Sequence, residues 1–133
     1  MPHKYSNPPG VPSPANYHHS VETPSNCTFL YVAGQTGVDV NGNVPKGIEA
    51  QAELAFEGIK RVLSASDYRL EDVVFMKTFL VNREDRPGYQ KVREMFWGDI
   101  KPASTFLIVS GLADPNYLVE VECIAAKLVR SKS

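Results

Sequence analysis

The sequence predicts an α+β domain in which two helices return onto one face of a single mixed sheet. Three observations lead there. Apolar residues at Ile48, Ala52, Ala55, Ile59 and Leu63 fall at i, i+4 and i+7, the period of a helix with one buried side. The nearly unbroken apolar run from Val73 to Val81 has the length and branched content of a buried strand. Two more runs dense in strand formers, Ser104 to Val109 and Tyr117 to Leu128, flank a Gly-Leu-Ala-Asp-Pro-Asn loop and are expected to pair with each other.

Taken in order, residues 1–14 hold five prolines (Pro2, Pro8, Pro9, Pro12 and Pro14) and no apolar period, so they are expected to form an extended arm before a single domain over 15–133. Tyr17 to Glu22 suits a short strand, on which the neighbours His18 and His19 point to opposite sides and make poor joint metal ligands. Thr28 to Ala33 is a compact strand. Gly34-Gln35-Thr36-Gly37, Val38 to Val40 and the turn pair Asn41-Gly42 then predict a β-hairpin. In the first helix, Glu57 and Arg61 lie one turn apart and can pair on a solvated face. The second helix is expected to start near Asp85 as a cap, with Pro87 in its first turn, Tyr89, Val92 and Phe96 on one face, and Gly98 at its end. Met95, Phe96 and Trp97 read as core or subunit interface.

Composition narrows the function. With 43% hydrophobic and 22% charged residues and a net charge of −1, the 133-residue chain has the make-up of one globular domain and lacks the basic excess of a nucleic-acid binder. Cys27 and Cys123 lack metal spacing and read as buried reduced thiols. There is no apolar run of the roughly 18 residues a membrane helix needs, and the amino terminus lacks a signal-peptide core, so a cytoplasmic protein is expected. The sequon Asn26-Cys27-Thr28 is then accidental.

The chemistry concentrates on the last strand. Alternation puts Leu118, Glu120, Glu122 and Ile124 on one side and Val119, Val121, Cys123 and Ala125 on the other. Two carboxylates on one face are either solvated edge charges or an acid/base group at a cleft. No Gly-x-Ser-x-Gly elbow surrounds Ser104 or Ser110, and Cys123 alternates away from Glu120, so both covalent schemes rank low.

Ala15-Asn16-Tyr17, Val32-Ala33-Gly34-Gln35, Glu49-Ala50-Gln51, Lys101-Pro102-Ala103 and Leu118 through Ala125 resemble, in order and spacing, the Rid family, also called YjgF or UK114. The resemblance implies a chorismate-mutase-like fold, a homotrimer with clefts between subunits, and hydrolysis of 2-imino and 2-enamino acids to 2-keto acids and ammonia without metal or organic cofactor. It assigns catalytic roles to Glu120, which orients water, and Tyr17, and places Gly34 beside the substrate. Ser104 stands where the family has a carboxylate-binding arginine, Gln90 where many members have asparagine, and Phe106 where a small or sulfur-bearing residue is usual. A serine hydroxyl cannot reproduce the fork of a guanidinium. Ser104, Thr105, Phe106, Gln90 and His18 are the candidate substrate contacts, and Lys101 is a candidate replacement for the charge if its side chain turns inward. The reading is a divergent deaminase-like hydrolase, or alternatively a non-catalytic small-molecule-binding trimer.

Overall fold

A computed structural model describes residues 2–129. Four strands form the main sheet: β3 (Cys27–Thr36), β4 (Val73–Leu80), β5 (Ala103–Ile108) and β6 (Val119–Leu128). Two short strands, β1 (Lys4–Ser6) and β2 (Ser20–Glu22), pair antiparallel in a second sheet. Helix α1 (Ile48–Ala65) packs on β3 and β6, and helix α2 (Arg86–Trp97) packs beside it. This is the α+β architecture that the periodicities predict.

The strand order is β3-β6-β4-β5. β6 runs antiparallel to both β3 and β4, while β5 lies parallel to β4 on its far side. The expected pairing of β5 with β6 is therefore corrected. α2 carries the chain back over the sheet between β4 and β5, which is the connection a parallel pair requires. The final loop then returns β6 to the centre, where both its edges are satisfied.

Alternation on β4 and β6 divides the sheet cleanly. Val73, Met76, Leu80, Val119, Val121, Cys123 and Ala125 are buried in the helix-side core with Ala52, Ala55, Phe56, Ile59 and Leu63 of α1. Tyr89, Val92 and Trp97 complete the core from α2. Phe56 sits at its centre, with ring centroids 5.7 Å from Tyr89, 5.4 Å from Phe96 and 6.0 Å from Trp97. Met95 does not join this cluster and is 67% exposed.

Local expectations fare differently. The Val38 to Val40 strand and its hairpin do not form, because β3 continues through Gly34 to Thr36 and takes β6 as its partner. Asn41-Gly42 does turn the chain, closed by the Asp39 carboxylate, which accepts the Asn41 and Asn43 amides at 2.9 Å each. These hydrogen bonds, Asn43's first, hold the Asp39 carboxyl below its ordinary pKa. Asp85 makes no side-chain cap: a 3-10 turn over Arg83–Asp85 runs straight into α2, so Asp85 already has helical angles. Glu57 and Arg61 do not pair, and the ion pairs among the described residues are Arg69 with Glu71 and Lys91 with Glu49, both exposed. Long exposed side chains gain little from such pairing.

The amino-terminal stretch also departs from a bare extended arm. Beyond the β1–β2 ladder, the buried His3 ring donates from Nε2 to the Ala126 carbonyl at 2.8 Å, pinning the arm to β6. His19 donates from Nε2 to the Pro12 carbonyl at 2.7 Å. Its ring meets Tyr17 edge-on at 5.6 Å. The segment is thereby folded back so that Tyr17 is held at the edge of the domain.

Candidate functional site

The predicted residues fall on two surfaces of one chain. Glu120 follows buried Val119 and precedes buried Val121, so it points to the sheet face that no helix covers. It lies opposite Thr36 of β3 and Phe79 of β4. There its carboxylate covers Gly34, and a Cβ at position 34 would fall among the Glu120 carboxylate atoms. Only glycine admits this approach. Among the described residues Glu120 forms no ion pair. Gly34 and Glu120 come together through a one-residue bulge of β3 between Val32, which faces Cys123, and Gln35, which faces Val121.

The other candidates gather on the helix side. A cavity of about 430 Å³ between α2 and β5 is lined by Tyr17, Gln90, Ser104, Thr105 and Phe106, together with Ala15 and Asn16. Ser104 and Phe106 lie opposite Met76 and Thr78, both core residues, which fixes their side of β5. Phe106 packs on Tyr89 at a centroid distance of 5.6 Å. The Tyr89 hydroxyl and Thr78 share a 2.6 Å hydrogen bond. Burial raises the phenol pKa despite that bond, so Tyr89 is a neutral wall of the cavity. Asn16 donates to Gln90 at 3.4 Å and draws the Tyr17 segment toward α2.

Two expectations need correction. His18 does not line this cavity: its backbone N–H donates to Pro102 O at 3.2 Å, and its Nδ1 donates to Lys101 O at 2.6 Å. That turns the ring toward Tyr5, 5.1 Å away. Lys101 lines two neighbouring cavities but not the one holding Ser104. Within one chain, Tyr17 and Glu120, the two residues to which the resemblance gives catalytic roles, lie on opposite sides of the sheet, because alternation and helix cover separate them.

The charge that sequence reasoning sought came from elsewhere. Arg86 and Arg93, both on α2, line the cavity beside Ser104. Arg86 carries its guanidinium over the Phe106 ring at 4.9 Å. Arg93 is only 7% exposed, and its Nη2 reaches Met76 Sδ at 3.8 Å. Burial lowers its pKa, and the neighbouring Tyr89 phenol partly offsets this. The signal was present in the spacing: Arg86, Gln90 and Arg93 fall at i, i+4 and i+7, so they form one stripe of α2.

Cys123 is buried, and desolvation, with the Glu122 charge second, pushes its thiol up to about 12. Such a thiol supplies no nucleophile at neutral pH. Cys27 is half-buried, and both cysteines are free. Among the described residues no cluster of histidine, cysteine and carboxylate side chains is arranged to hold a metal. No described helix is long and apolar enough to cross a membrane.

Comparison with known proteins agrees with this architecture. Residues 11–127 match the family model described as endoribonuclease L-PSP. A RutC family protein of Pyrococcus horikoshii is 36% identical over 101 residues, covering 74% of this chain and 79% of that protein. The 2-iminobutanoate/2-iminopropanoate deaminase of Dermatophagoides farinae is 34% identical, covering 71% and 75%. The 3-aminoacrylate deaminase RutC of Acinetobacter baylyi is 29% identical over 94% and 98%. In three dimensions the chain superposes on YyfB, a Rid family protein of Yersinia pestis, with a TM-score of 0.83 at 27% identity, covering 96% of this chain and 100% of that one. With the mixed sheet, the two helices on one face and these matches in agreement, the chain belongs to the Rid family, also called YjgF or UK114.

Proposed function

We propose that this protein is a divergent Rid-type hydrolase that adds water to a small imine, enamine or related electrophile. The observation that supports it most is the Glu120 carboxylate seated on Gly34, unpaired among the described residues, on an open sheet face. Two relatives named as deaminases of imino or aminoacrylate substrates support the reaction class. Glu120 accepts a proton from water as the oxygen bonds to the imine carbon, and that proton passes to the nitrogen. The hydroxyl of the resulting carbinolamine then gives its proton to the nitrogen as the C–N bond breaks, leaving a carbonyl compound and ammonia. Glu120 leaves the cycle unchanged, and the protein's part is to position water and substrate.

The same reading includes a homotrimer. The open face carries Phe29, Tyr31 and Leu107, exposed by 48%, 74% and 43% in the single chain. A neighbouring subunit laid on this face would cover an apolar patch and bring Glu120 of one chain toward a helix-side cavity of another. A coupled assay offering imines generated from several amino acids tests the function. Glu120→Gln is expected to lower the rate by about 10²- to 10⁴-fold with the fold intact. Undiminished turnover in that variant would sink the assignment.

A second reading is a non-catalytic binding trimer. One feature favours it: the residues lining the helix-side cavity include no carboxylate to serve as a base. Silence of the assay toward every imine, with binding of a small acid retained, would select this reading.

A further inference from the structure

We infer that Arg93, with Arg86 at the cavity mouth, is the anion-binding site of this chain, and that it takes the carboxylate of a small organic acid. The inference deepens the proposed function by naming how its substrate is held. Arg93 is more than nine-tenths buried yet lines the cavity, and among the described residues no carboxylate pairs with it. Its contacts are a thioether sulfur and a neutral phenol, neither of which balances a guanidinium charge. Arginine does not escape by losing its proton, so a buried unpaired guanidinium calls for an anion.

The surroundings indicate which anion. Arg86 brings a second positive charge to the same cavity, held in place by the Phe106 ring. Two like charges facing one space repel each other until a negative group sits between them. No aspartate or glutamate lines this cavity; Glu94 and Asp99 line a smaller adjoining one, without pairing with Arg93. Ser104 adds a hydroxyl donor, while the Phe106 and Tyr89 rings form an apolar wall suited to a short alkyl chain. A planar carboxylate fits paired N–H donors of a guanidinium, and one charged oxygen pair between two arginines leaves the tail against the rings. The guanidinium absent from position 104 is in this way replaced from α2, across the same cavity.

Calorimetric titration of the full chain with propanoate, 2-oxobutanoate, inorganic phosphate and uncharged propanamide tests this directly. Both carboxylates are expected to bind and propanamide is not; Arg93→Met weakens carboxylate binding by about ten- to a hundredfold, and Arg86→Gln by less. The melting temperature of Arg93→Met is expected to hold or rise, since a methionine fills the space without a buried charge. A merely structural arginine would lower it. If Arg93→Met does not fold, Ser104→Asp supplies an internal carboxylate beside the arginines and is expected to abolish binding of the free acids. The inference is overturned if wild type binds no carboxylate, if it binds phosphate alone, or if carboxylate affinity is unchanged in whichever of Arg93→Met and Ser104→Asp folds. Carboxylate binding is read by calorimetry in the absence of turnover, so it is measured independently of the proposed reaction. Binding that depends on Arg93 with no turnover therefore refutes the hydrolase and spares this site. Turnover that depends on Glu120 but has the same KM in Arg93→Met does the reverse.

Discussion

The two faces of the main sheet are made by the same strands and do opposite work. On the helix side, every alternate residue of β6 from Val119 to Ala125 is buried against the two helices, and a cavity opens between α2 and β5. On the other side, Glu120 and Glu122 share a surface with exposed Phe29 and Tyr31. The first face is covered by the two helices within one chain, and the second leaves apolar area and charge exposed together. In a period-2 structure, one residue of register decides which of these roles a side chain takes.

The contrast can be broken first at its strongest point. Phe56→Ala, at the centre of the helix-side core, is expected to cost about 3–5 kcal/mol in urea unfolding. A loss below 1 kcal/mol would mean that the aromatic cluster is not what closes this face. On the open face, Gly34→Val forces the Glu120 carboxylate off its seat, and the expected consequence is catalytic: a drop of about a hundredfold in the coupled assay, with the carboxylate affinity of the helix-side cavity retained. Equal losses of both would show that the two faces are not separable.

Smaller perturbations sharpen the division. Thr78→Val leaves the buried Tyr89 hydroxyl without its partner, and a loss of about 1–3 kcal/mol is expected in the same unfolding measurement. Tyr31→Ser should change the stability of the isolated chain by less than about 0.5 kcal/mol, yet shift the sedimentation coefficient toward that of a monomer. An unaltered assembly would remove the open face from the subunit contact. The smallest effect at neutral pH concerns Cys123. Its pKa rises from an ordinary 9.0 to about 12 in the fold, so between these values the unfolded chain has lost its thiol proton and the native chain has not. Stability is thus unaffected below pH 9 and falls as pH rises toward 12. Cys123→Ala should flatten that decline, and iodoacetamide at pH 8 should label Cys27 well before Cys123.

The legibility of each part follows the range of the interactions behind it. α1, α2, β4 and the alternation of β6 were readable because each is a short-range period imposed by a buried side, and the same alternation put Glu120 opposite Cys123. The Val38 to Val40 hairpin failed because the turn pair Asn41-Gly42 speaks only for its own four residues, whereas β3 found its partner some ninety residues away. His18 and Lys101 looked like site residues by adjacency to Tyr17 and Ser104; hydrogen bonds to backbone carbonyls and the course of the chain at β5 turned them to neighbouring cavities.

By itself, then, the sequence determined the two helices, the buried strands, the class of fold and the family motifs, including the absence of arginine at position 104. Only the tertiary structure decided that β6 lies between β3 and β4, that Gly34 receives the Glu120 carboxylate, and that Arg86 and Arg93 stand across the cavity from Ser104. Periodicity records which side of an element is apolar. What that side meets is set by strand order and helix crossing, which depend on contacts between residues far apart in the chain.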